Sequence, residues 1–501
     1  MTNEEYHWLA AIFPWLLYSA DLAIRIGFPI RIIMRRRSHG TTFAWLFIIL
    51  LFPFLGALIY LLIGENRISE KRIVRVKASQ THYQHWLTSL KSRAPVGENH
   101  LSIRNLPLHQ QAERLIGIPA LGGNDLELID NPNDILNRII TDINHARSTC
   151  HLQFYIWQEG GKVTEIEQAL SDAARRGVTV RILLDSIGSR DFLNGNRIKD
   201  LVAAGIKIRE ALPAGIFKAL FERIDIRNHR KMVIIDGEIA YTGSQNMVDP
   251  RYFKQDQGVG EWVDLMVRIT GPVVESLAGT FISDWFIESN DSAVSSVHIK
   301  SDIEALRKRT DVHLLEATGS IPVQLVPSGP GLVPEAIHSL LLTTIYTARE
   351  ELILTTPYFV PDNSLLTGLK SAAQRGVEVI LILPEKNDSK LVAYASRAHY
   401  QDLAESGVKI MKFHRGLLHS KTITVDRHIS LFGSVNLDMR SFWLNFEATL
   451  FIYDQSFTQK IRTIQQSYLE KSIPINQKKL AQRPLIRRFQ ENVALLIGPL
   501  L

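Results

Sequence analysis

Two short segments of the chain set a histidine two positions before a lysine and seven before an aspartate. HRKMVIID supplies His229, Lys231 and Asp236, and HSKTITVD supplies His419, Lys421 and Asp426. At background residue frequencies about 0.04 chance matches to one such pattern are expected in a chain of this size, so two in corresponding places of a repeat are not accidental. Residues two apart on a strand share a face, so each imidazole and its neighbouring ammonium can converge on one phosphate. The aspartates fall on the opposite parity, which assigns Asp236 and Asp426 to turn formation and support. Asp236-Gly237 is a strong two-residue hairpin signal; a two-residue loop there places His229 opposite Ser244, and the same construction at Asp426-Arg427 places His419 opposite Ser434. GSQN and GSVN follow the hairpins, and their Ser244, Asn246, Ser434 and Asn436 can donate hydrogen bonds to phosphate oxygens.

A histidine nucleophile needs an acceptor on its far nitrogen to fix the tautomer and stabilise positive charge. Glu447, in WLNFEATL, is the candidate for His419; Asp264, in EWVDL, is the candidate for His229, with Glu261 as the alternative. Two imidazoles from two halves point to a ping-pong phosphoryl exchange. One attacks phosphorus to form a phosphohistidine, and the other protonates the leaving alkoxide and then deprotonates the incoming alcohol. The attack is assigned to His229, which the symmetric motifs alone do not single out. No metal site is expected, because the interleaved lysines would compete with a cation and no HExxH or Asp-rich cluster is present.

The elements that must carry these residues are themselves duplicated. ALSDAARRGVTVRILLD (169–185) and GLKSAAQRGVEVILILP (368–384) each read as a helix whose Arg-Gly end feeds a buried strand, the glycine acting as C-cap. AAGIKI (203–208) is echoed by ESGVKI (405–410). The first histidine then follows Ile208 by 21 positions and the second follows Ile410 by 9, so the first half holds an insertion, LPAGIFKALFERIDI (212–226), apolar and basic enough either to touch lipid or to cap that half. The reading is an α/β protein of two related halves, a mixed sheet flanked by helices about a pseudo-two-fold axis.

With 501 residues and 46% hydrophobic content, two folded domains plus extra segments are expected. The formal charge of +6 and pI near 9.2 favour an anionic partner without separating nucleic acid from anionic lipid. A single cysteine, Cys150, excludes an internal disulfide and a cysteine-based zinc site. Residues 44–63, AWLFIILLFPFLGALIYLLI, lack charge over about 20 positions, enough for a helix to span roughly 30 Å of hydrocarbon. The preceding run from Trp8 to Ile33 carries Asp21 and Arg25, each costing about 2.5–3.5 kcal/mol at a helix centre, but their spacing lets them pair. The expected organisation is a transmembrane hairpin at 1–66 (spans about 8–33 and 43–63), a polar linker at 67–107, a first half at 108–300 and a second at 301–501. That second half closes on RPLIRRFQENVALLIGPLL, whose mixture of arginine and apolar residues suits either an interfacial helix or packing on the core. Basic residues on both sides of the second span leave its orientation open.

These motifs resemble the phospholipase D superfamily and, within it, the bacterial cardiolipin synthases with two N-terminal membrane segments. The likeness covers nearly the whole chain and is strongest in 229–256, in TTPYFVPD (355–362) and in 419–447. It implies condensation of two phosphatidylglycerol molecules into cardiolipin and glycerol without a metal or nucleotide cofactor, in a multi-pass protein of the bacterial inner membrane with its catalytic domain in the cytoplasm. It also implies that the His, Lys and Asp of both motifs form the signature, with Glu447 and the Ser and Asn residues in support. The competing reading is a hydrolytic phospholipase D releasing phosphatidic acid. A nuclease is disfavoured by the membrane hairpin and by the lack of an aromatic, basic stacking platform, so no nucleic-acid partner is expected.

Overall fold

The computed structural model describes residues 3–35, 39–65, 67, 69–93, 105–213, 223–288, 312–331 and 335–498. Two compact units are present: one of Met1–Glu70 with Ala214–Asp225, the other of Lys71–Pro213 with Ile226–Leu501.

The larger unit is built on one continuous mixed sheet, 16-stranded among the described residues. From its middle the first half runs Leu121–Ile129, Met266–Thr270, Ile239–Gly243, Met232–Ile235, Thr149–Phe154, Thr179–Asp185 and Lys207–Ala211. The second half repeats that order in the other direction: Ile321–Ser328, Asn445–Ile452, Ile429–Gly433, Thr422–Val425, Glu351–Thr355, Glu378–Pro384 and Lys409–Phe413, with Ser472–Pro474 added at the edge. The halves join where Leu121 pairs antiparallel with Val323 and Asn124 with Ile321. Most central strands are buried on both faces, which explains why TCHLQF, TVRILLD and EVILILP read as runs rather than alternations.

Both repeated helix–strand joints follow the expected chemistry. Helix Lys162–Arg175 stops at Gly177 (φ 94°) and helix Asn363–Gln374 at Gly376 (φ 92°), left-handed positions that favour glycine. The preceding Arg176 and Arg375 donate to the last carbonyls of the neighbouring helix in each half, at Ile143 and at Ala348.

The hairpins differ from expectation by one residue. Ile235 pairs with Ile239 and Val425 with Ile429, so each loop has three residues instead of two. The cause is the aspartate, which adopts a left-handed conformation (φ 54° at Asp236, 48° at Asp426) while its carboxylate accepts backbone N–H groups from the adjoining strand. Asp236 receives Arg147, Ser148 and Thr149 at 2.7–2.9 Å, and Asp426 receives Arg349, Glu350 and Glu351 at 2.8–3.2 Å. The turn-forming role read from parity therefore matches their contacts.

The stretch read as a polar linker begins with a 24-residue helix, Glu70–Arg93. Leu90 is buried, the Trp86 indole donates to Glu275 at 3.0 Å, and Arg72 pairs with Glu288, so this helix lies against Val273–Ile287. Residues 94–104 lie outside the described residues, as does 214–222 of the insertion.

In the smaller unit the apolar run 44–63 is not one helix. It is divided among His39–Leu51, Pro53–Ile59 and a π-helical turn, Tyr60–Gly64. Phe52 leaves the helical region (φ −129°, ψ 75°), and Pro53, which has no N–H to donate, opens the next helix at a position where none is needed. Among the described residues no helix is long and apolar enough to cross a membrane. The Asp21–Arg25 pair forms at 2.6 Å, and Glu65 accepts from Arg31 and Tyr60.

Candidate active site

The His-Lys segments lie just before the first strand of each hairpin, and both are held by strands of the opposite half. Arg227–Asn228 pairs in parallel with Asn445–Phe446, and the His229 N–H donates to the Phe446 carbonyl at 2.9 Å. In the mirrored place Leu417–Leu418 pairs with Trp262–Val263, and the His419 N–H donates to Val263 at 2.9 Å. His229 therefore has no partner across its own hairpin, whose pairing ends at Met232–Thr242; the placement opposite Ser244 does not hold, and His419 likewise is not opposite Ser434.

This stitching exchanges the carboxylates. His229 Nδ1 lies 2.9 and 3.0 Å from the two oxygens of Glu447, and His419 Nδ1 lies 2.6 Å from Asp264. The expected assignment, Glu447 with His419 and Asp264 with His229, is thus reversed: each imidazole is anchored by the other half, because each histidine extends alongside the strand that carries the other half's acid. Glu261, the alternative, contributes its carbonyl to Leu417 and sits at the exposed start of that strand.

Ser244 and Ser434, expected to face phosphate, donate instead to these acids, Ser244 to Asp264 at 2.7 Å and Ser434 to Glu447 at 2.5 Å. Each hydroxyl also accepts a backbone N–H, from Leu265 and Ala448 respectively. They therefore fix the carboxylate rotamers. Asn246 accepts the N–H of Ile156 at 3.2 Å through its side-chain oxygen, and Asn436 is buried with its backbone N–H on Ser441.

Lys231 and Lys421 are fully or nearly buried and each donates to the carbonyl of its own histidine. Burial pushes the Lys231 ammonium down to about 7 and that of Lys421 to about 8, opposed by the charges of Glu447 and Asp264. Burial likewise pushes both imidazoles down to about 4, with the carboxylates opposing and both lysines reinforcing. That each histidine is influenced by the lysines of both halves places the four groups in one electrostatic cluster. Burial alone would raise Glu447 and Asp264; their histidine partners, the lysines and the serine hydroxyls outweigh it and hold both below the usual carboxylate range. At neutral pH this gives ionised acids accepting Nδ1–H, and neutral rings whose Nε2 lone pairs remain for chemistry.

Aromatic rings that the motifs did not flag complete the walls. Tyr155 stands edge-on to His229 at 5.1 Å between centroids, and its ring lies 5.7 Å from the Lys231 ammonium. Tyr358 stands 6.4 Å from His419, which Trp262 approaches to 4.3 Å. The two tyrosines stand just past matched strands, in QFYIW and TTPYFV, one position apart in the repeat, and that near-correspondence was the available signal. Among the described residues no group of three His, Cys, Asp or Glu side chains could hold a metal; both central acids are already engaged by imidazole and hydroxyl.

A duplicated α/β sheet with paired His-Lys segments of this kind defines a phospholipase D-like protein. A family model described as the cardiolipin synthase, PLD-like domain matches residues 139–285 and 341–468, and a phospholipase D-nuclease N-terminal model matches 28–65. Cardiolipin synthase A of Yersinia pseudotuberculosis serotype IB is 42% identical over 497 residues, covering 99% of this chain and 98% of that protein, and the protein of the same name from Yersinia pestis matches equally. The chain belongs to the cardiolipin synthase family of PLD-like proteins. At the level of fold alone, phosphatidylserine synthase of Haemophilus influenzae superposes with a TM-score of 0.60 at 15% identity, covering 79% of this chain and 100% of that one.

Proposed function

We propose that the protein is a phosphatidyltransferase that joins two phosphatidylglycerol molecules into cardiolipin and glycerol. The observation that carries the reading is the pair of buried, neutral imidazoles, each tethered at Nδ1 by an ionised acid from the other half and flanked by a lysine. The anionic lipid phosphate offsets the burial that keeps the free rings neutral, so His419 takes up a proton at Nε2 on binding. His229 Nε2 then attacks the phosphorus of the first lipid, the P–O bond to its glycerol headgroup breaks, and His419, as general acid, gives that proton to the departing alkoxide. His419 then removes the proton from the incoming glycerol hydroxyl of the second lipid, whose oxygen displaces His229 from phosphorus. Lys231 and Lys421 neutralise the non-bridging oxygens as charge develops. Asn246 and Asn436 support the phosphate site, while Ser244, Ser434, Asp236 and Asp426 act at one remove, on the acids and the hairpins. No metal or nucleotide takes part in this scheme.

Membrane attachment through the smaller unit belongs to the same proposal, with the catalytic unit on the cytoplasmic side. Support comes from its exposed apolar side chains, among them Phe13, Trp15, Phe43, Phe47 and Phe54, and from the N-terminal family match. The decisive experiment is incubation of the purified full chain with phosphatidylglycerol. Cardiolipin and free glycerol in equal amounts are expected; phosphatidic acid as the main product would replace the transferase with a hydrolase.

A further inference from the structure

The C-terminal helix Leu485–Leu496 is amphipathic in the wrong sense for a soluble protein. Leu485, Phe489, Val493 and Leu496 recur at helical spacing with Ile486 alongside, and all five are exposed, Leu485 at 80% and Leu496 at 81%. The opposite face holds Ala494 and the charged Glu491, and it is the buried one: Glu491 is 1% exposed and is held by Arg483. Packing on the protein thus uses the side that carries Glu491 and Ala494 and leaves a contiguous apolar stripe outside. Single exposed apolar residues are ordinary, but a continuous stripe marks an interaction surface.

The surroundings say what covers it. From Ser472 to Leu501 there are five basic residues, Lys478, Lys479, Arg483, Arg487 and Arg488, against Glu491 as the single acid, a net +4. A second copy of the chain would bring two such positive rims together, whereas an anionic bilayer complements them. The helix also sits beside the catalytic centre. Ala494 and Leu495 belong to one apolar cluster with Val360 and Tyr358, and the Tyr358 ring lies 6.4 Å from that of His419.

We propose that this helix is an interfacial docking element whose apolar stripe enters the anionic lipid surface, seating the His419 side of the site against the membrane. It acts separately from the N-terminal unit and goes beyond the reaction proposed above, since the measurement below reads the helix whatever chemistry the site performs.

Cys150, the sole cysteine, is buried, so Phe489→Cys or Leu485→Cys each provides one accessible thiol in the full-length protein. An environment-sensitive fluorophore attached there should be strongly quenched by brominated acyl chains in phosphatidylglycerol vesicles and shielded from aqueous iodide, while the same dye at Gln168→Cys, on an exposed helix of the first half, stays iodide-accessible. Adding Lys479→Gln and Arg488→Gln should weaken insertion of the helix by on the order of fivefold per charge. The proposal is overturned if the dye at 485 and 489 remains as open to iodide with vesicles as without. It is equally overturned if shielding needs no lipid and rises with protein concentration, the signature of a second copy.

Discussion

The two halves share a backbone plan and differ in how they hold the reacting groups. Glu447 engages His229 with both oxygens and is itself held by Ser434 and Asn445. Asp264, one methylene shorter, meets His419 and Ser244 through Oδ1 alone, and its Oδ2 has no hydrogen-bond partner among the described residues. The ring against His229 is a tyrosine at 5.1 Å, and the nearest against His419 is a tryptophan at 4.3 Å. Duplication thus fixed where the imidazoles stand, and later divergence acted on their neighbours. An imidazole clamped by two oxygens is restrained in orientation, as an attacking nucleophile requires; one held at a single oxygen has more freedom to pass a proton between two alcohols.

The strongest way to break this division is to remove each ring. His229→Ala and His419→Ala should both lower turnover by about 10⁴-fold or more, because groups acting as a unit fail together. Only His229 should carry the label when a quenched reaction is digested and its phosphopeptides are sequenced; phosphate on His419 alone would invert the roles.

The exchanged acids sharpen the comparison next. Glu447→Gln and Asp264→Asn should each cost about 10³- to 10⁴-fold in kcat, the scale seen when an acid orienting a histidine is neutralised. A phosphatidyl ester of p-nitrophenol separates them, since that leaving group departs without protonation. Its first-turnover burst should survive Asp264→Asn and His419→Ala and vanish in Glu447→Gln and His229→Ala. A burst that survives Glu447→Gln instead would mean that the acids serve the histidines of their own halves.

The pH profile tests the lysines. Activity requires a neutral His229 and charged ammonium groups, so it should fall as pH drops through about 4, where the His229 ring protonates, and fall again as pH rises through about 7, where Lys231 loses its proton before Lys421 does at about 8. Lys231→Arg should shift the alkaline limb upward toward that of Lys421, whereas Lys421→Arg should leave it in place. Identical shifts in both variants would remove the distinction.

The smallest effects concern the hairpins. Asp236→Ala and Asp426→Ala each strip an acceptor from three backbone N–H groups and should destabilise by about 1–3 kcal/mol, read as a lower unfolding midpoint. The loss should be larger at Asp426, where the Glu351 N–H it serves is buried.

Much of this was legible in the residues. The repeated Arg-Gly joints, the two motifs and the support role of the aspartates follow from local chemistry, and local chemistry is what a sequence displays. The hairpin register was missed by one because the loop length is set by an aspartate reaching backbone of the preceding helix–strand joint, 87–89 positions away at Asp236. The acid pairing was missed for a similar reason. His229 and Glu447 are 218 positions apart and His419 and Asp264 are 155 apart, and symmetric sequences give equal support to pairing within a half and pairing across halves. The division of the apolar run 44–63 was signalled by Pro53, but a spanning helix tolerates proline, so composition alone could not locate the break.

The exchange of Glu447 and Asp264 bears on ancestry. A lone half with one motif and one acid could assemble this centre only by joining a twin. Fusion into a single polypeptide then ended the need for the twins to be identical. It also made neither dispensable, since a lesion in one strips the other's histidine of its anchor.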